Sequence, residues 1–148
     1  MFASGRRVNE RIVANRISKL RGYLKVLRGL QKASFEEFVS DPRVRYSVER
    51  CLHLAIECTI NIGNHIISAL QLRKPEEYSD VAVILKENGV IPSEFAEEFV
   101  KMIRFRNILV YDYVGLDLSR VYSFLQGRLG DFELFIKYIT KFLKRMRS

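Results

Sequence analysis

The groups in this chain best suited to hold a phosphate sit together in ten residues, Arg104-Phe105-Arg106-Asn107-Ile108-Leu109-Val110-Tyr111-Asp112-Tyr113. Arg106 shares one helical face with Phe99, Met102, Ile103 and Val110, so the pattern aims it at the core. A core-facing arginine is costly unless paired, and Glu57 on an earlier polar stripe is a candidate partner. The guanidinium is a planar fork of permanent charge, which suits phosphate better than an ammonium does. Asn107 adds a carboxamide beside it, and Tyr111 and Tyr113 add two phenols. A phenol of ordinary pKa, about 10, is ionised to about one part in a thousand at neutral pH. Tyr111 therefore donates a hydrogen bond far more readily than it accepts a proton. On a continuous helix, positions 106 and 111 lie about 140° apart, while 106 and 113 nearly align. Position 111 joins Arg106 only if the helix ends or kinks there, or if a second subunit supplies the group.

Other chemistry finds little footing. There is no Gly-rich phosphate loop, no paired-cysteine metal motif and no H-E-x-x-H. Cys51 and Cys58 are the only cysteines. Seven residues apart on one helix, they stand about 10 Å apart, too far for a disulfide. No metal and no cofactor is expected. His53 and His65 are the only histidines, twelve residues apart and about 120° round one helix, so they do not form a pair. Either can reach Arg106 by packing. Glu57 and His65 are the candidate supporting residues, while Asn61 and Asn64 suit a polar network.

The elements that must position these groups read as helices. Val13, Ile17, Leu20, Leu24 and Leu27 make an apolar seam, predicting a long helix over about residues 8–32. Ser34 with Glu37 forms a capping-box pattern for a short turn of helix. Asp41-Pro42 marks a break before a second long helix over about 43–71, whose polar stripe is Arg50, Glu57, Asn61, Asn64 and Ser68. Residues 79–88 read as a short helix stopped by Gly89, and Pro92-Ser93 opens the helix that carries Arg106. Asp117 caps one last helix whose seam runs from Leu118 through Leu125 and Phe132 to Leu143. No period-2 strand appears. The prediction is all-α: one domain over residues 1–148, an up-and-down four-helix bundle with one or two short extra helices. The apolar seams exceed what one small bundle must bury, which suits a symmetric dimer.

Charge narrows the partners. The chain of 148 residues carries a net +8, with no apolar run long enough to span a bilayer, so a cytoplasmic protein is expected. Residues 1–32 hold nine basic side chains against Glu10 alone, and the remainder balances. A second basic cluster, Lys137, Lys141, Lys144, Arg145 and Arg147, closes the chain. Such patches attract polyanions by counterion release, although a solvated helix face looks the same in sequence.

The segment Arg106-Asn107-Ile108-Leu109-Val110-Tyr111-Asp112-Tyr113 resembles the R-N-x-L-V-H-x-Y motif of the HepT-like branch of HEPN domains. Ala55-Ile56-Glu57-Cys58 with Asn61-Ile62-Gly63-Asn64-His65 is similar to that family's second-helix signature. The Pro75–Tyr78 region, Glu87-Asn88-Gly89-Val90-Ile91 and residues 114–122 extend the resemblance over most of the chain. It implies a metal-independent endoribonuclease, the toxin of a toxin–antitoxin pair, with two motifs meeting in a cleft between the subunits of a homodimer. Arg106 would hold the scissile phosphate of RNA, Asn107 would support it, and Tyr111 stands where the family has its proton-transferring histidine. Tyr113 would receive AMP from an MntA-type nucleotidyltransferase antitoxin. With a phenol at 111, the resemblance also fits a non-catalytic dimer that binds RNA or the nucleotidyltransferase.

Overall fold

The computed structural model describes residues 7–111 and 117–147, without the side chain of Tyr111. These form α1 (Glu10–Leu30), α2 (Phe35–Ser40), α3 (Pro42–Ala69), α4 (Asp80–Glu87), α5 (Ser93–Tyr111), α6 (Leu118–Gly127) and α7 (Leu129–Arg147). No strand occurs among them. The caps explain the starts. The Asn9 side chain accepts the N–H groups of Arg11 and Ile12 to begin α1, and Asp41 accepts that of Arg43 to begin α3. The capping box at Ser34 and Glu37 is complete in both directions, at 3.1 and 3.2 Å. Gly89 takes a φ of 73° after α4, the left-handed stop its position suggested.

α3 is the hub of the bundle and touches each of the other six helices. Its buried side, from Val48 through Leu52, Ile56, Ile62 and Ile66, meets Val13, Leu20, Leu24 and Leu27 of α1, and Phe99, Met102 and Ile103 of α5. Phe99 stacks tilted on Phe135 of α7 at 5.0 Å. Each fully buried side chain of this kind stabilises the fold by about 1.5–3 kcal/mol. At Gly63 α3 and α4 lie close together: a Cβ there would press into Cγ1 of Val81. The approach draws in the start of α4, and with it the loop that carries Tyr78.

The all-α bundle expected from the seams is what forms, with α1, α3, α5 and α7 as its long members. One element differs. The last helix, expected as a single run from Asp117, breaks at Arg128 into α6 and α7, so three short helices accompany the long ones. Arg128 leaves helical geometry, and its guanidinium instead binds Glu98 of α5 and Asp131, 2.8 Å away, in the first turn of α7. Gly127 and Gly130, weak helix formers on either side, lower the cost of the break. The hydrophobic seam continues across it, which is why periodicity alone reads one helix.

Candidate active site

α3 and α5 pack side by side, and their facing polar residues meet near the C-terminal end of α5. Arg106 is 8% exposed, as its core-facing register requires. Its Nε and Nη2 both bind Oε1 of Glu57 on α3. Nη1 donates to Oδ1 of Asn107 at 3.3 Å, and the guanidinium lies 4.7 Å from the ring centre of Tyr78. The fork is thus fixed by a carboxylate, a carboxamide and an aromatic face. Arg104, Asn107, Tyr78, Glu77 and Ser79 line an open cleft of about 400 Å³ beside it.

His53 completes the cluster. Its Nε2 lies 3.5 Å from Oε1 of Glu57, one helical turn along α3, and its Nδ1 is 3.2 Å from Nη1 of Arg50. An arginine only donates, so Nδ1 accepts and Nε2 carries the proton of the neutral ring. Burial lowers the His53 pKa below the ordinary 6.5. Glu57 works against that shift, and Arg106 and Arg50 add to it. At neutral pH His53 is therefore an uncharged donor facing Glu57, with its lone pair occupied.

The residues expected at the site separate into three groups. Arg106, Asn107 and Glu57 come together. His65 does not join them: its Nε2 accepts the backbone N–H of Asn9 at 3.0 Å, at the start of α1. Burial and then Arg16 lower its pKa as well. α5 runs helical as far as Tyr111, whose side chain lies outside the described residues, as does Tyr113. Sequence reasoning did not single out His53 as the ring that would reach Glu57, although its i, i+4 spacing to Glu57 on one helix was a usable signal. It named Tyr78 only within a wider resemblance, because a loop residue has no periodicity to place it. The cysteines are free, Cys58 buried and Cys51 half-buried. Among the described residues no three His, Cys, Asp or Glu side chains gather as metal ligands, and no helix is long and apolar enough to cross a membrane.

A strand-free bundle that presents a carboxylate-held arginine near the end of its third long helix places this protein among the HEPN-type helical domains. More narrowly, the chain belongs to the ribonuclease HepT-like family, whose model matches residues 13–139. It is 32% identical over 128 residues to the mRNA nuclease HepT of Shewanella oneidensis, covering 86% of this chain and 96% of that one. The solved structure of the tri-AMPylated HEPN toxin of Shewanella oneidensis, in complex with its MNT antitoxin, superposes with a TM-score of 0.81. That match has 32% identity and covers 88% of this chain and 97% of the toxin. The cytosolic protein YutE of Bacillus subtilis shares the fold at a TM-score of 0.83 with 22% identity, over 95% of this chain and 94% of that one.

Proposed function

We propose that this chain, acting as a single helical domain in a cytoplasmic homodimer, is an endoribonuclease toxin that needs no metal. We further propose that an MntA-type nucleotidyltransferase antitoxin silences it by adding AMP to Tyr113. The observation that carries the reading is Arg106, buried, oriented by Glu57 and Asn107, and set in the motif of a family whose relatives are named nucleases. In the proposed reaction the RNA 2′-hydroxyl oxygen attacks the adjacent phosphorus. A bond forms between them, the bond from phosphorus to the 5′-oxygen breaks, and the proton lost at the 2′-oxygen is matched by one gained at the 5′-oxygen. Arg106 neutralises the charge that gathers on the phosphoryl oxygens, where a preset donor is worth most. Tyr111 serves as hydrogen-bond donor to the leaving oxygen. AMP on Tyr113 brings a phosphodiester charge next to the cleft and repels RNA, as other phosphate-bearing modifications do. The similar Shewanella toxin, captured in AMPylated form with its antitoxin, supports this mode of control.

One observation favours a second reading, a dimer that binds RNA or the nucleotidyltransferase without cleaving. The imidazole nearest Arg106 is His53, and Arg50 holds its lone pair, so it does not replace the family histidine as a base.

The deciding experiment incubates unmodified protein, made without any nucleotidyltransferase, with total cellular RNA in EDTA. Cleavage that persists in chelator and disappears in Arg106→Ala is expected. Binding without cleavage under any condition would establish the second reading instead.

A further inference from the structure

The basic residues of α1 gain a location in the structure that the site does not absorb. Asn15, Arg16, Lys19 and Tyr23 form one wall of a groove of about 520 Å³ whose other wall is Glu57, Cys58 and Asn61 of α3. The α1 residues are spaced 15, 16, 19, 23, so they make one continuous face beside the buried seam of Val13, Leu20 and Leu24. Two α1 cations on another side of the helix are engaged: Arg21 and Arg28 meet Glu133, 3.8 and 3.4 Å away. Arg16 and Lys19 have no carboxylate partner among the described residues. The Nε of Arg16 is buried and lacks any hydrogen-bond acceptor. Arg16 thus has no acceptor among the described residues for that N–H, and its charge, like that of Lys19, stands in the groove lining without a carboxylate to offset it. The acidic residue in the lining, Glu57, has its charge held by Arg106, which leaves the groove positive and joins it directly to the site.

We infer that the groove between α1 and α3 is a subsite for single-stranded RNA, which leads the strand to Arg106. The inference rests on the chain acting on RNA and adds where the strand lies. Arg16 and Lys19 take backbone phosphates, Asn15 and Asn61 offer hydrogen bonds to sugar or base edges, and half-buried Tyr23 provides a face on which a base stacks at the far end. The groove is too narrow in its chemistry for a duplex: two phosphate contacts beside an aromatic face read an unstacked strand.

The test uses the full-length protein and a fluorescein-labelled single-stranded oligoribonucleotide whose 2′-hydroxyls are methylated, so it binds without being cut. Affinity is measured over a salt series for the wild type, for Arg16→Ala/Lys19→Ala, and for Lys137→Ala/Lys141→Ala, which removes equal charge from exposed positions on α7. The groove variant should bind about tenfold more weakly, and its log–log salt slope should shrink by about 1.4, or 0.7 for each lost contact. The α7 variant should match the wild type. Equal losses in both variants, or no loss in the groove variant, overturn the subsite. A groove variant that keeps RNA and loses the nucleotidyltransferase overturns it in favour of a protein partner. Circular dichroism melts verify that each variant is folded. A wild type that binds this oligonucleotide through the groove yet leaves unmethylated RNA intact refutes the ribonuclease and leaves the subsite standing.

Discussion

Glu57 on α3 holds the guanidinium of Arg106 on α5 across 49 residues of sequence, and His53 and Asn107 close the cluster around that bond. The pair does two things at once. It offsets the cost of a buried cation, and it fixes the plane of the fork.

Removing one partner should therefore show in stability. Glu57→Ala leaves Arg106 buried with its main counter-charge gone, which costs about 3 kcal/mol, the low end for a broken buried pair because Glu57 is partly exposed. Glu57→Gln keeps one acceptor and should cost less. Urea denaturation monitored by circular dichroism gives both values, and equal stability of the three proteins would show that the pair contributes nothing.

Tyr111→His restores a group that titrates near neutrality. Cleavage should rise by about 10²-fold, the lower range for a positioned general acid–base, with a bell-shaped pH profile in place of a rising one. An unchanged rate would mean that the site differs from its relatives by more than one side chain.

Modification has its own readout. Coexpression with an active nucleotidyltransferase should add AMP to the wild-type chain, seen as an increase in intact mass, and Tyr113→Phe should abolish it. Because Tyr111 is a second phenol two residues away, peptide mapping must assign the site. AMP found only on Tyr111 would reassign the acceptor.

Both histidines make the protein acid-sensitive. Burial is the main cause that lowers each pKa below its ordinary 6.5. Below 6.5 the unfolded chain takes up protons that the folded chain still refuses, so stability falls as pH drops and is recovered above 6.5. Protonating His65 also removes the acceptor for the Asn9 N–H. Burial pushes Glu49 and Asp131 upward, and these act in the opposite sense at the acid end. The measurement is the difference in melting temperature between about pH 5.5 and 7.5, which should shrink in His53→Gln/His65→Gln relative to wild type.

Gly63→Ala tests the close approach of α3 and α4. The added methyl meets Val81 Cγ1, and overpacking of this kind costs about 1–3 kcal/mol. Val81→Ala in the same chain should restore part of the loss, seen as a double-mutant cycle in thermal melts.

Much of this was legible in the sequence, and the reasons are local. α1 showed itself by its seam, α2 by its capping box, and Arg106 by standing in an apolar register. The ion pair to Glu57 could be proposed because a core-facing arginine needs a counter-charge and Glu57 stands on the polar stripe of the second long helix. The break at Arg128 was not legible, since its cause is an acid on another helix, Glu98, with no trace in the local period. The two histidines differ in this respect: His53 stands i, i+4 from Glu57 on one helix and could have been read, whereas the contact of His65 with Asn9 depends on how α3 packs against α1, which no local spacing gives.

The position of α3 at the centre of the bundle limits how the chain can grow. Adding one residue within α3 ahead of Glu57 would turn everything on one side of it by about 100° relative to the other. Either Glu57 would swing away from Arg106, or the whole buried side from Val48 onward would face water. The stretch between α3 and α4 is different. It already includes Gln71 at a positive φ of 55° and the exposed Arg73, Lys74, Glu76 and Glu77, and no buried seam passes through it. Length variation among related chains should collect there, at the lip of the cleft that Tyr78 borders, where altered reach would change what fits while the arginine stays put.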